Sequence, residues 1–408
     1  MHADPLHIDL DEVTRSTPIP LRVKNRGLMW TFVTIAFVIG LYDLFVDPKH
    51  FWNTYFITSV FFLGLSLGGV MTTVIFQIVR AVWSVPIRRI AEANIAFLPY
   101  AYLMFLFTYF GKTYLYPWAN APMPGREYWM QPDFVYARFA ILLGLLVYLM
   151  YRFVNMSLRS DIGFLREKAP KKDLWQGYPY DNLASNWEGA SSEIKNIQRK
   201  MSFNAPVVVL AYAVIVSLFA FEMIMSMDTI WYSNMMGGFV FLGFLYMAWA
   251  VTILWTLYFA KVSPVYSKTV GSQQMWDLGK LMFGFSMLWG YTMISQYLPQ
   301  WYGNMPEETQ WLYLRTKEFP WKPVAYLTLG MCFIFPFITL FSEDIKRSPK
   351  VIWIVCSVVL LGMWVEKFIL VSPQRYATSI PFNLFDIIIF AGFAVSYFLA
   401  VTAWMAKF

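Results

Sequence analysis

Ten stretches, each near the length of a membrane crossing and almost free of charge, limit what this chain can fold into: 28–46, 54–79, 91–110, 134–157, 204–227, 236–260, 276–297, 323–342, 350–370 and 383–405. A helix needs about 20 consecutive apolar residues to cross the hydrocarbon core. Inside lipid, every backbone N–H and C=O must be paired within the segment or its neighbours. The sequence therefore predicts an all-α integral membrane protein with ten transmembrane helices. Charged residues make up 14% of the chain, against roughly a quarter of a soluble one, so almost nothing remains for a soluble domain.

The organisation that follows is a polar tail over 1–26, spans 1–4 over 27–158, a charged loop over 159–202 and spans 5–10 over 203–408. The tail carries Asp4, Asp9, Asp11 and Glu12 ahead of Arg15, Arg22, Lys24 and Arg26. It has no apolar signal-peptide segment, so span 1 is expected to remain in the mature protein. Lys and Arg accumulate on the cytoplasmic side of membrane proteins. With the N-terminus inside, 22 of them fall on the inner side, and 7 (Lys49, Lys112, Arg126, Arg315, Lys317, Lys322 and Arg375) fall outside. Both termini are thus expected in the cytoplasm. The net charge of +7 reads as an orientation signal, and nucleic acid is excluded as a partner.

Redox ligands are scarce. A membrane b-type haem needs histidines on facing helices, and covalent c-type haem needs Cys-x-x-Cys-His. The histidines are His2, His7 and His50, all outside the ten runs, while Cys332 and Cys356 stand alone in spans 8 and 9. Isolated cysteines in apolar helices act as small packing residues. The chain is therefore expected to bind no metal, haem or cluster, and any redox chemistry to use cofactors on partner chains.

Ionisable residues at membrane depth cost on the order of 3 kcal/mol or more each at a helix centre and need a reason. In span 5, Glu222 precedes Asp228 by six residues, about 9 Å along an α-helix and on a different face. In span 7, Asp277 and Lys280 share a face and can pair. Glu92 opens span 3 on the same side. Asp43, Arg138, Glu366, Lys367 and Asp386 lie nearer the outer side, where snorkelling or a structural ion pair is the plainer reading. Glu222 and Lys280 are the two singled out as functional.

Span 2 carries FLG at 62–64, and the span after it runs from Glu92 to YLYPW at 114–118. Span 6 carries FLG at 241–243, and the next runs from Asp277 to YLPQW at 297–301. The offset of four spans preserves direction, so the pattern predicts two parallel four-helix bundles, spans 2–5 and 6–9, flanked by spans 1 and 10. Gly64 and Gly68 form a small-xxx-small pair suited to close helix packing.

The stretch SQYLPQWYGNMPEETQW, 295–311, leaves span 7 on the outer side. Its aromatic rings suit an interfacial belt. Gly303-Asn304 favours a tight turn, and the acids Glu307 and Glu308 are not needed by a belt. With Trp301 and Trp311 at the membrane surface, the acids are expected to face a docking partner.

Two stretches, FEMIMSMDTIWYSNMMGGFVF at 221–241 and WDLGKLMFGFSMLWGYTMISQYLPQWYGNMPEET at 276–309, resemble the ActF subunit of bacterial alternative complex III, an NrfD-like family related to the polysulfide reductase membrane subunit. The resemblance implies a cofactor-free subunit in the bacterial cytoplasmic membrane, part of a quinol:electron-acceptor oxidoreductase. It implies a sister NrfD-like membrane subunit, and multihaem cytochrome c and iron–sulfur subunits on the outer face. Family members usually have Asp where this chain has Glu222 and often His where it has Ile230, so a histidine-dependent role does not carry over.

On this reading the chain supports quinol oxidation by relaying protons through polar half-channels. The inner one would use Glu92, Asp277 and Lys280, and the outer one Glu222, Asp228 and Arg138. Direct quinone binding, with Glu222 or Asp228 as proton acceptor, is an alternative. A purely structural anchor holding partners and lipid is another. A secondary transporter ranks third, since no matched Gly/Pro interruptions mark corresponding spans.

Overall fold

The computed structural model describes residues 25–168 and 175–408; of the expected polar tail over 1–26, residues 1–24 lie outside them and Arg26 opens the first helix. The described residues form an all-α membrane protein. Nine of their helices are long and apolar enough to cross a membrane. In order these are α1 (Arg26–Val46), α2 (Pro48–Ile78), α3 (Val82–Leu115), α4 (Pro132–Lys168), α5 (Ala190–Met227), α6 (Met236–Val262), α9 (Trp321–Phe341), α10 (Pro349–Val371) and α11 (Leu384–Met405). Between α6 and α9 lie α7 (Ser272–Gly303) and α8 (Pro306–Thr316).

The expected run at 276–297 is thus a helix of 32 residues, but Lys280 and Gln296 bound its apolar stretch, which is less apolar than the best stretch of each of the nine. Both ends of the charged stretch at 159–202 are helical as well, because α4 continues to Lys168 and α5 begins at Ala190; residues 169–174 lie outside the described residues. Amphipathic turns of this kind have no apolar run to announce them.

Helix ends follow local chemistry. Asp47 caps α2 by accepting the His50 amide at 3.0 Å, with Pro48 in the first turn. Asn383 and Asp386 form a reciprocal capping box at α11: the Asn383 amide donates to Asp386, and the Phe385 amide donates to Asn383, both at 2.8 Å. Asn304 ends α7 in the left-handed region at φ 45, where Asn is tolerated.

The centre of the molecule is α2, 94% buried over its apolar window. It packs on α6, α3 and α5, and α6 in turn packs on α7 and α10. Elsewhere α4 lies along α5, α9 along α10, and α1 along α11. The α2–α6 contact is close because Gly64 and Gly68 present no side chain. A Cβ added to Gly64 would meet the Phe244 ring at 2.3 Å, and one on Gly68 the Phe244 carbonyl oxygen at 2.3 Å. The small-residue pair is a packing device, as its spacing suggests.

Candidate functional site

Hydrogen bonds gather the segments around 49–53, 114–118, 228–232, 300–311 and 372–376 at one end of the molecule, the Trp301 end. Arg375 donates to the Tyr114 and Leu115 carbonyls and to Asn53, and Gln374 donates to Asp228. Burial pulls the Arg375 guanidinium down from its ordinary value to about 10.

Here α5 abandons α-geometry. Residues Ala220–Ile224 form a π-turn and Met225–Met227 a 3-10 turn, and the chain then runs irregularly to Met236. π-Turns insert a residue and loosen the backbone ladder, which lets side chains bond to it. Ser226 donates to the Glu222 carbonyl at 2.6 Å and accepts from the Trp118 indole at 3.0 Å; the Tyr116 hydroxyl donates to the Met223 carbonyl at 3.2 Å.

Glu222 sits inside this π-turn. One carboxylate oxygen accepts the Trp129 indole N–H at 2.7 Å and the other accepts Arg138. The Arg138 guanidinium lies over the Trp129 ring at 4.1 Å and the Phe134 ring at 4.8 Å. Asp228 accepts the amides of Ile230 and Trp231 at 3.0 and 3.1 Å, while its second oxygen accepts Gln374.

Both carboxylates line one cavity of about 900 Å³, walled by Trp129, Phe221 and Trp231 and edged by Arg126. An ideal α-helix would set these acids on different faces, the arrangement expected from six-residue spacing. The π-turn and the unwinding after it bring both to one cavity. Glu222 and Asp228 thus meet at one cavity, and Arg138, which is not part of its wall, joins them only through Glu222.

The 300–311 segment divides in two. Trp301 and Glu307 are exposed. Trp311, expected at the membrane surface, instead stacks on Trp231 with ring centroids 3.9 Å apart, and the Arg315 guanidinium covers it at 3.8 Å. Arg315 reaches on to the Ile369 and Leu370 carbonyls at 2.9 and 3.0 Å, satisfying acceptors left open at the end of α10. Burial pulls this guanidinium down to about 9, with Asp228 acting in the opposite sense. Glu308 accepts the Tyr232 hydroxyl at 3.0 Å and holds that phenol above its ordinary value. Trp311 and Glu308 therefore brace the α5–α6 segment, whereas Trp301 and Glu307 do not take part in it.

At the opposite end Glu92 is fully buried and held by Arg88 at 3.3 Å and Arg89 at 2.5 Å; Arg89 also binds Asp161 of α4. Asp277 and Lys280 pair at 2.6 Å, with Lys280 half exposed and lying over Trp276 at 3.9 Å. Arg347 covers the same indole at 4.6 Å. The residues expected to form one inner group thus occupy two ion clusters, an arginine clamp between α3 and α4 and a pair in the first turns of α7. Exposed pairs of the second kind contribute little to stability.

A third cluster joins α1, α2 and α11. His50 faces Asp43 through Nδ1 at 2.8 Å and Asp386 through Nε2 at 3.1 Å, and Thr54 donates to Asp386 at 2.5 Å. All four side chains are buried. Counting histidines within apolar runs missed it. The signal lay in an acid near the end of each flanking span and a histidine just beyond a helix cap. Among the described residues no group of three or more His, Cys, Asp or Glu is placed to hold a metal ion.

No model of a known protein family matches the chain, and no curated protein matches it.

Proposed function

We propose that the chain is the cofactor-free membrane subunit of a quinol:electron-acceptor oxidoreductase of the alternative complex III type, and that its Glu222–Asp228 site accepts protons when quinol is oxidised. One observation carries the reading: two carboxylates, one in a π-turn, share an aromatic-walled cavity at the end of the molecule where α5 unwinds. A quinol must lose protons as it loses electrons, and a carboxylate within reach of its hydroxyls serves as general base. Arg138 and Trp129 hold Glu222 in position, and Asp228 is held by backbone amides.

In this reading α7 is the tenth span. Gln296 near its C-terminus bonds Ser233 just before α6, and Gly279 near its N-terminus packs on Lys346 beyond the far end of α9. It therefore runs the same thickness as α6 in the opposite direction. The contacts support two four-helix bundles, α2–α5 and α6, α7, α9, α10, with α1 and α11 as a flanking pair. The Trp301 end faces outward and both termini lie in the cytoplasm of a bacterium. A sister NrfD-like subunit lies beside the chain in the membrane. Cytochrome c and iron–sulfur subunits dock over Trp301 and Glu307.

Direct quinone binding is the second reading, favoured by the cavity itself. About 900 Å³, with aromatic walls and polar groups from Arg126, Glu222, Ser226 and Asp228, lies within the range of small-molecule sites.

The test is mild-detergent purification through a tag on this chain. We expect co-purifying subunits that carry haem and iron–sulfur spectra, with quinol-dependent reduction of an acceptor. A chain that purifies without them and lacks quinol oxidation in the native membrane refutes the proposal.

A further inference from the structure

The second half of the molecule holds a charged pair that the Glu222 site does not use. Glu366 and Lys367, near the end of α10, are each 1% exposed. Lys367 donates to one carboxylate oxygen, Oε2, whereas Oε1 is buried without a hydrogen bond of full geometry, the equally unpaired Trp289 indole N–H being the protein donor beside it. A buried carboxylate oxygen left unpaired is costly unless water or a proton meets it.

Glu366 borders a cavity of about 110 Å³ whose wall includes Gln296, Gln300, Arg315 and Thr328. That volume has room for several waters, although its wall is largely apolar and Gln296, Gln300 and Glu366 supply the few polar atoms near it. The groups facing Glu366 come from every side: Lys367 on α10, Arg315 on α8, the Cys332 thiol on α9, and Trp289, Gln296 and Gln300 on α7. From α6, the Phe244 ring lies 5.6 Å from the Lys367 ammonium. Toward the Glu222 site, Gln300 accepts the Trp231 indole at 3.2 Å. The stacked Trp231 and Trp311 rings separate this chamber from the larger cavity.

We propose that Glu366 is a second proton-binding site, reached through the chamber beneath the Trp231–Trp311 stack. The ionised carboxylate pairs with Lys367. On taking a proton from chamber water it becomes a neutral acid whose O–H donates into the chamber, and it later returns the proton to water. Lys367 keeps its charge throughout, so one proton enters and one leaves with no other bond changed. The site rests on the proton-handling reading above and extends it to the second bundle.

Infrared difference spectra of the purified full complex across a pH titration test this, read at the carbonyl stretch of a buried protonated carboxyl. We expect a band that shifts in D2O, is lost in Glu366→Gln and persists in Glu222→Gln. Lys367→Met removes the cation opposite the carboxylate, and this variant should keep the band in its absolute spectrum at every pH and show no change there in the difference spectra. Spectra unchanged by Glu366→Gln, or a Lys367→Met variant that follows the wild-type titration, would overturn the proposal. Loss of coupled turnover in Glu222→Gln would still stand as a separate result for the first site.

Discussion

Replacing Arg138 by Met tests whether the Glu222 carboxylate is held as a charge. The two side chains are 10% and 7% exposed, so removing the guanidinium strands an anion with the Trp129 indole as its one remaining side-chain donor. Breaking a buried pair from one side costs about 3–5 kcal/mol. The lost stacking over Trp129 and Phe134 adds about 0.5–2 kcal/mol. Because Glu222 borders a cavity that water can enter, the lower end applies, about 3 kcal/mol in all. Glu222→Gln alone leaves Arg138 over two aromatic rings and should cost less. In the double variant no charge is stranded, so a double-mutant cycle should return a coupling of about 2 kcal/mol. Equilibrium unfolding in detergent, followed by tryptophan fluorescence, measures all four proteins. An Arg138→Met cost below about 1 kcal/mol, or additive single effects, would refute the buried-pair reasoning.

Three further outcomes are expected. Gly68→Ala should destabilise by about 1–3 kcal/mol, since its methyl meets a backbone oxygen that cannot turn aside; Gly238→Ala, which meets open space, is the control, and equal unfolding midpoints would contradict the packing account. His50→Leu leaves the Asp43 and Asp386 carboxylates facing one another without a donor between them, so amide exchange in α1 and α11 should accelerate while the core of α2 stays protected; unchanged exchange would mean the cluster does not clamp the flanking helices. A cysteine at position 310 should react with impermeant reagent added outside intact cells, and labelling only from the cytoplasmic side would invert the topology.

The helices were legible because lipid imposes one simple requirement, an unbroken apolar run. Residues 350–370 were expected as a span and Pro349–Val371 is the helix. Where a helix leaves that environment the signal fades: the amphipathic ends of α4 and α5 were read as loop. Glu222 and Asp228 could be picked out as acids at membrane depth, but their shared cavity was not legible. A π-turn at Ala220–Ile224 has no sequence signature of its own, and helical spacing then gives the wrong face for Asp228. Trp311 looked like a belt residue because its stacking partner, Trp231, belongs to a distant segment. Glu366 and Lys367 were read as snorkelling or ion-paired near the outer side; they do form a pair, but its burial was not legible, because α6, α7 and α9 close over it.

The most direct measurement is proton release per quinol oxidised in sealed vesicles containing the intact complex with Glu222→Gln. The amide keeps the size of the side chain and still accepts from Trp129, so assembly should be preserved while the proton acceptor is lost. The account predicts normal subunit composition with coupled turnover reduced about 10²-fold or more, in line with loss of a general base. Full turnover with unchanged proton release would contradict it and leave Glu222 as the structural partner of Arg138.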